Sequence, residues 1–201
     1  CQHHLTPGDA PAATVSVVRW LENRVDALVL ADGPVVAVKT DGTVDAVRDD
    51  RLDRLISGYQ EYTAYQARLR AGGGFNAPEH LKLLRTLREH QMRHLNRRAR
   101  SAYWVAEAVP EAARHAYAAS WTIDELAAVL AMTDGVSTAV EDYGLVSSWT
   151  ELAERCRTQG PQQVVGQVHN AELADPDGAR WPRYKRHDDK ALAFLTPGGE
   201  A

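Results

Sequence analysis

Leu126-Ala127-Ala128-Val129-Leu130-Ala131-Met132-Thr133-Asp134-Gly135-Val136-Ser137 is the stretch whose reading decides the fold. An unbroken apolar run gives way there to an acid and a glycine. A short continuous apolar run fits a strand buried on both faces, or a short helix. The strand reading is preferred, because its end delivers Asp134 into a loop where a rigidly held carboxylate faces a cleft. A second acid has a similar setting. Lys185-Arg186-His187-Asp188-Asp189-Lys190-Ala191-Leu192 leads Asp188 and Asp189 into an apolar strand over residues 191–195. Two or three carboxylates held in this way suit Mg²⁺ or Mn²⁺, hard cations that take oxygen ligands.

Outward from these two motifs, residues 13–20, 25–30, 35–39 and 44–47 are rich in β-branched side chains and predict strands. The corner Ala31-Asp32-Gly33-Pro34 and the turn Asp41-Gly42 join them at short spacing, which predicts an antiparallel meander. Asp49-Asp50 precedes a helical stretch with Leu52, Leu55 and Ile56 on one face. Gly72-Gly73-Gly74 breaks the chain, and Pro78 opens a helix with Leu81, Leu84, Leu87 and Leu95 near helical spacing. Trp104-Val105 reads as a short strand, and Pro110 starts a short helix. Residues 136–143, 150–157 and 161–173 read as helices and 175–187 as a polar loop.

With 201 residues, 44% of them hydrophobic, the chain suits one domain with a real core. The net charge of −4 gives no field that favours nucleic acid. No apolar run approaches the ~20 residues of a membrane span. Two cysteines cannot make a disulfide framework, so a reduced, cytoplasmic setting is expected. Cys156, within a helix, is expected to be a buried thiol, and His115 structural. His169 and Glu172 are expected to be a surface pair.

Charge is uneven along the chain. Lys82, Arg85, Arg88, Arg93, Arg97, Arg98 and Arg100 fall between residues 80 and 100 with Glu89 the sole acid. A basic helical insert around 76–100, hinged at Gly72–Gly74, is expected to act as a flap. In that reading Arg93, Arg97 and Arg98 bind an anionic substrate or acidic peptide.

Three short segments carry a resemblance. Thr133-Asp134-Gly135-Val136-Ser137 is similar to the Ser-Asp-Gly that ends a strand in type 2C metal-dependent phosphatases, particularly their divergent bacterial branch. Asp188-Asp189-Lys190-Ala191 resembles the Asp-Asn or Asp-Asp that closes that domain. Ala31-Asp32-Gly33-Pro34 matches the position of the family's Gly-Asp-Ser-Arg corner, without the arginine. The resemblance covers about residues 12–196. It implies an α/β fold, a four-layer αββα sandwich with mainly antiparallel sheets. It also implies Asp134 and Asp188 as ligands of a two-metal Mg²⁺ or Mn²⁺ centre for phosphoester hydrolysis. The family's first Asp-Gly metal motif lies upstream of residue 1. A single domain over 1–201 lacking its N-terminal strands is therefore expected, completed by an N-terminal subunit from the same precursor.

Two alternatives come from other classes. Cys1, beside His3 and His4, pairs a thiol with a free α-amine. That is the arrangement of a self-processed N-terminal-nucleophile amidohydrolase, which needs no metal. The other alternative is an inactive phosphatase-like module that binds a partner through its basic helix.

Overall fold

The computed structural model describes residues 5–198. Cys1, His3 and His4, and with them the nucleophile reading, lie outside the described residues.

The four β-branched stretches form β1 (Val15–Trp20), β2 (Arg24–Leu30), β3 (Val35–Lys39) and β4 (Val44–Val47). They do not make one meander. β1 and β2 form one antiparallel hairpin, with Val15 opposite Leu30 and Trp20 opposite Val25. β3 and β4 form another, in a different sheet. The corner between them moves the chain from one layer to the next. Ala31 there has φ +68°, and its N–H donates to Asp49 Oδ2 at 3.1 Å. Asp49 is fixed in turn by Arg51, whose Nε lies 2.7 Å from its Oδ1. A Cβ on Gly33 would meet Ser16 Oγ at 2.9 Å and the Met132 carbonyl at 3.1 Å, so only glycine fits where the sheets converge.

β5 (Tyr117–Thr122) pairs with β2 to give a three-stranded sheet of order β1-β2-β5. The sequence hid this strand, because Ala118, Ala119 and Ser120 carry little β preference and the pairing with β2 defines it. The expected strand at Trp104-Val105 is absent. Its neighbours make isolated bridges instead, Leu95 with Tyr103 and Ala13 with Ala106. β6 (Leu126–Met132) and β7 (Leu192–Leu195) complete the second sheet, of order β4-β3-β6-β7, antiparallel throughout.

β6 is the apolar run read first from the sequence, and its position explains its composition. Val129 and Leu130 point to opposite faces and both are wholly buried. Val129 joins Val25, Val29, Val35 and Trp121 in the core between the sheets. Leu130 joins Val136, Leu152, Val164 and Val168 on the other side. The helices there are α4 (Asp134–Glu141), α5 (Trp149–Gln159) and α6 (Pro161–Ala174). The fold is therefore α/β, two antiparallel sheets with helices laid on the second. Val17 and Leu28, paired across β1 and β2, stay exposed on the first sheet.

Between β4 and β5 lie three further helices, α1 (Arg51–Ile56), α2 (Gln60–Arg70) and α3 (Pro78–His94). They share a small core of Ile56, Tyr65, Leu69 and Leu87. The last of them ends at His94, short of the expected residue 100. Asn96 takes φ +49°, its N–H donates to the Tyr103 carbonyl and its Oδ1 accepts from Val105 N–H. Arg97, Arg98 and Arg100 consequently lie in a turn. The polar loop beneath these helices is partly internal: Arg183 is buried, bonds Asp175 at 2.9 Å and lies 5.0 Å from the Phe75 ring centre. Among the described residues, no helix is long and apolar enough to cross a membrane.

Candidate metal centre

β6 ends at Met132 and α4 begins at Asp134, so the acid stands at the junction of a buried strand and a helix N-terminus. Asp32, from the corner after β2, and Asp188, from the segment before β7, line the same cleft, of about 640 Å³. Thr14, Ser16, Lys185 and Asp189 also face it. The structure thus brings Asp134 and Asp188 together and adds Asp32. From sequence alone Asp32 marks only the corner between two strands. The signal is an acid two residues past the end of an apolar strand, at Asp32 as at Asp134.

Local bonds hold each acid. Thr14 Oγ1 donates to Asp32 Oδ1 at 2.6 Å. Lys185 Nζ lies 2.9 Å from Asp188 Oδ1 and 3.2 Å from Asp189 Oδ2. Thr133 stitches the two acidic segments together. Its N–H donates to the Ala191 carbonyl at 3.0 Å, its hydroxyl donates to the Asp189 carbonyl at 2.9 Å, and the same hydroxyl accepts from Ala191 N–H at 3.1 Å. Gly135 makes this approach possible. A Cβ there would collide with the Asp189 carbonyl and come within 3.1 Å of Asp188 Cβ.

Asp134 is open to the cleft, yet the surrounding protein withdraws its carboxyl from water. That desolvation, then the Asp32 charge and then the Asp188 charge, push its pKa up to about 7. A second crevice on the α4 side shares Asp32 and Asp134 and adds Asp53, Glu141 and Asp142. Its one arginine, Arg48, is paired with Glu141 at 2.5 Å. Aspartate oxygens, with nearby hydroxyls, are the donors here. Such a set fits a hard divalent cation such as Mg²⁺ or Mn²⁺ better than a thiolate-preferring one.

Behind Asp188 stands a buried charge pair. Glu172 of α6 is wholly buried, so it is not half of a surface pair with His169. Lys190 Nζ lies 2.6 Å from its Oε2, and His187 Nδ1 lies 3.3 Å from the same oxygen. The Tyr143 hydroxyl donates to Oε1 at 3.3 Å. Lys190 also donates to the Asp188 carbonyl at 2.8 Å, so the residues flanking Asp188 are tied to one carboxylate.

The arginines expected to bind substrate lie elsewhere. Arg93, Arg97 and Arg98 are not among the residues lining the cleft. Arg93 borders a shallow groove with Leu81, Leu84, Arg85, Arg88, Glu89 and Met92. Arg98 pairs with Glu111 at 2.8 Å. His115 stacks on Trp104 with ring centres 3.7 Å apart, a structural role as expected. Cys156 is a buried thiol, and burial pushes its pKa up to about 11.

The chain is similar to two solved bacterial enzymes. One is the serine/threonine phosphatase Stp1 from Staphylococcus aureus, with 10% identity and a TM-score of 0.47 over 94% of this chain and 57% of that one. The other is a bacterial serine phosphatase, with 9% identity and a TM-score of 0.42 over 94% of this chain and 60% of that one. The chain thus spans 57% and 60% of the lengths of these two structures. No curated protein matches it. The family model described as protein phosphatase 2C matches residues 1–175, a span that includes Asp32 and Asp134 and stops before Asp188. The chain belongs to the protein phosphatase 2C family.

Proposed function

We propose that this chain carries part of the active site of a divalent-metal-dependent phosphoester hydrolase, with Asp134 and Asp188 as metal ligands. The observation that carries the reading is the convergence of Asp32, Asp134 and Asp188 on one cleft from three separate segments. Family membership supports the reaction class. A bound Mg²⁺ or Mn²⁺ supplies Lewis acidity toward water and the phosphoryl oxygens.

The protein's own part is positioning. β6 and the Thr133 stitch hold Asp134 against the Asp188 segment. Lys185, paired with Asp188 at the cleft, would offer a cation to a phosphoryl oxygen there. Asp32 keeps the cleft negative and favours a dication over a monovalent ion. An anionic or acidic peptide substrate is guided by the arginines along the groove on residues 78–94, with Arg97 and Arg98 beyond it.

The test is calorimetry with MnCl₂ and hydrolysis of a phosphopeptide by the complete protein. Asp134→Asn keeps the side-chain size and is expected to remove most metal binding and activity together. Unchanged metal affinity in that variant would refute the assignment.

A further inference from the structure

His169, Glu172 and His187 present ligand atoms that all lie within 4.8 Å of one another, on the side of the Asp188 segment that faces α6. The two imidazoles come from different elements and meet with ring centres 4.9 Å apart. His169 is exposed on α6, and Glu172 follows one turn later on the same face. His187 turns Nδ1 toward Glu172 Oε2, which leaves its Nε2 for another partner.

We propose that His169 and His187 form a second, chemically distinct metal site for a Zn²⁺-class ion, one that prefers imidazole nitrogen. Lys190 already holds Glu172 Oε2 at 2.6 Å, so a dication is directed away from that oxygen and toward the imidazoles. Glu172 then acts behind His187, as the carboxylate that fixes the ring and raises its basicity. Water or an external ligand fills the remaining positions. Tetrahedral Zn²⁺ holds its nitrogen ligands roughly 3.4 Å apart. The closure required falls on His169, whose exposed side chain is free to rotate. Imidazole nitrogen does not suit Mg²⁺, and the acidic cleft has no imidazole among its lining residues. The two sites therefore select different metals. The inference stands apart from the phosphatase reading, because it concerns binding on the α6 side and needs no turnover.

The test is titration of the full chain with Co²⁺ and Zn²⁺, by visible absorption and calorimetry, in saturating Mg²⁺. One equivalent of Co²⁺ is expected to bind with tetrahedral absorption bands and to be displaced by Zn²⁺. His169→Ala and His187→Ala should each weaken that equivalent by roughly tenfold or more, and Glu172→Gln by about 10–100-fold. Asp134→Asn should leave it unchanged, which separates this site from the carboxylate centre. His169 is exposed, so its alanine variant tests the site without disturbing the core. Cys1, His3 and His4 remain in every variant. All bound metal surviving both histidine substitutions would overturn the proposal, as would its loss in Asp134→Asn or no binding at millimolar metal.

Discussion

Gly135 and Asp189 approach so closely that no side chain fits between them: a Cβ on Gly135 would fall on the Asp189 carbonyl. The Asp-Gly at the end of β6 is thus a packing requirement of the neighbouring segment. Gly135→Ala should push residues 188–189 away from Asp134, at a cost of about 1–3 kcal/mol of stability from overpacking. Urea unfolding measures that cost. Calorimetry with Mn²⁺ should show weaker binding in the same variant, and equal affinity with normal stability would show that the segment yields freely.

Asp134 sets a pH dependence whose sign follows from its raised pKa. Its folded-state value of about 7 lies above the ordinary aspartate value of about 3.9. The fold therefore binds more protons than the unfolded chain between about pH 4 and 7. Metal-free stability should fall as pH rises through that window and level off above it. Cation binding requires the ionised form, so Mn²⁺ affinity should rise through the window to a plateau above pH 7. Asp32→Asn removes a like charge and should move the Asp134 titration to lower pH, as followed by carboxyl NMR. A titration unmoved by this change would discount the Asp32 contribution.

Lys190 and Glu172 form an ion pair nearly closed to solvent, with 6% and 0% of their side chains exposed. Removing one partner strands the other charge. Lys190→Met should destabilise the fold by about 3–5 kcal/mol, and the double variant Glu172→Gln/Lys190→Met should recover much of the loss. Thermal and urea unfolding of the four chains closes the cycle. Additive losses would mean that the two residues act separately.

The groove beside Arg85, Arg88 and Arg93 joins an apolar floor to three arginines and a single acid, Glu89. Replacing Arg93, Arg97 and Arg98 together by Gln should weaken binding of an acidic peptide at low salt, and the difference should shrink as salt screens the charges. Fluorescence anisotropy across a salt series reads both effects. Arg98 is held by Glu111, so Arg93 and Arg97 should account for most of the loss.

Much of the site was legible wherever a local pattern carried it. The apolar run before Asp134 and the paired acids before residue 191 located three of the four cleft acids, Asp134, Asp188 and Asp189. The limits of β6 followed because a strand buried on both faces must be apolar throughout. Sheet membership was less legible. The corner at Ala31–Pro34 resembles a hairpin turn in residue type, but Asp49, eighteen residues on, holds it in a conformation that changes layers. β5 depends on β2 for its existence, and the burial of Glu172 depends on Lys190, eighteen residues on, folding back against it. Such features arise from long-range packing and leave no periodic trace. The basic segment was legible as charge, but its division into helix and turn was set by Asn96.

The sheet order β4-β3-β6-β7 also joins one local pairing to two long-range ones. Val36 faces Ala46 on one side, across a short hairpin, and Leu130 on the other, after nearly half the chain. Hairpins close in microseconds, whereas the β3–β6 pairing must first bear the entropy of a very long loop. Asp32 and Asp134 meet only when that pairing is made, and Asp188 joins them when β7 docks on β6. The like charges thus confront one another only once both long-range pairings of β6 are made. Capture of a dication at the cleft would accordingly report on completed chains, and its rate in refolding would follow the slowest strand pairing.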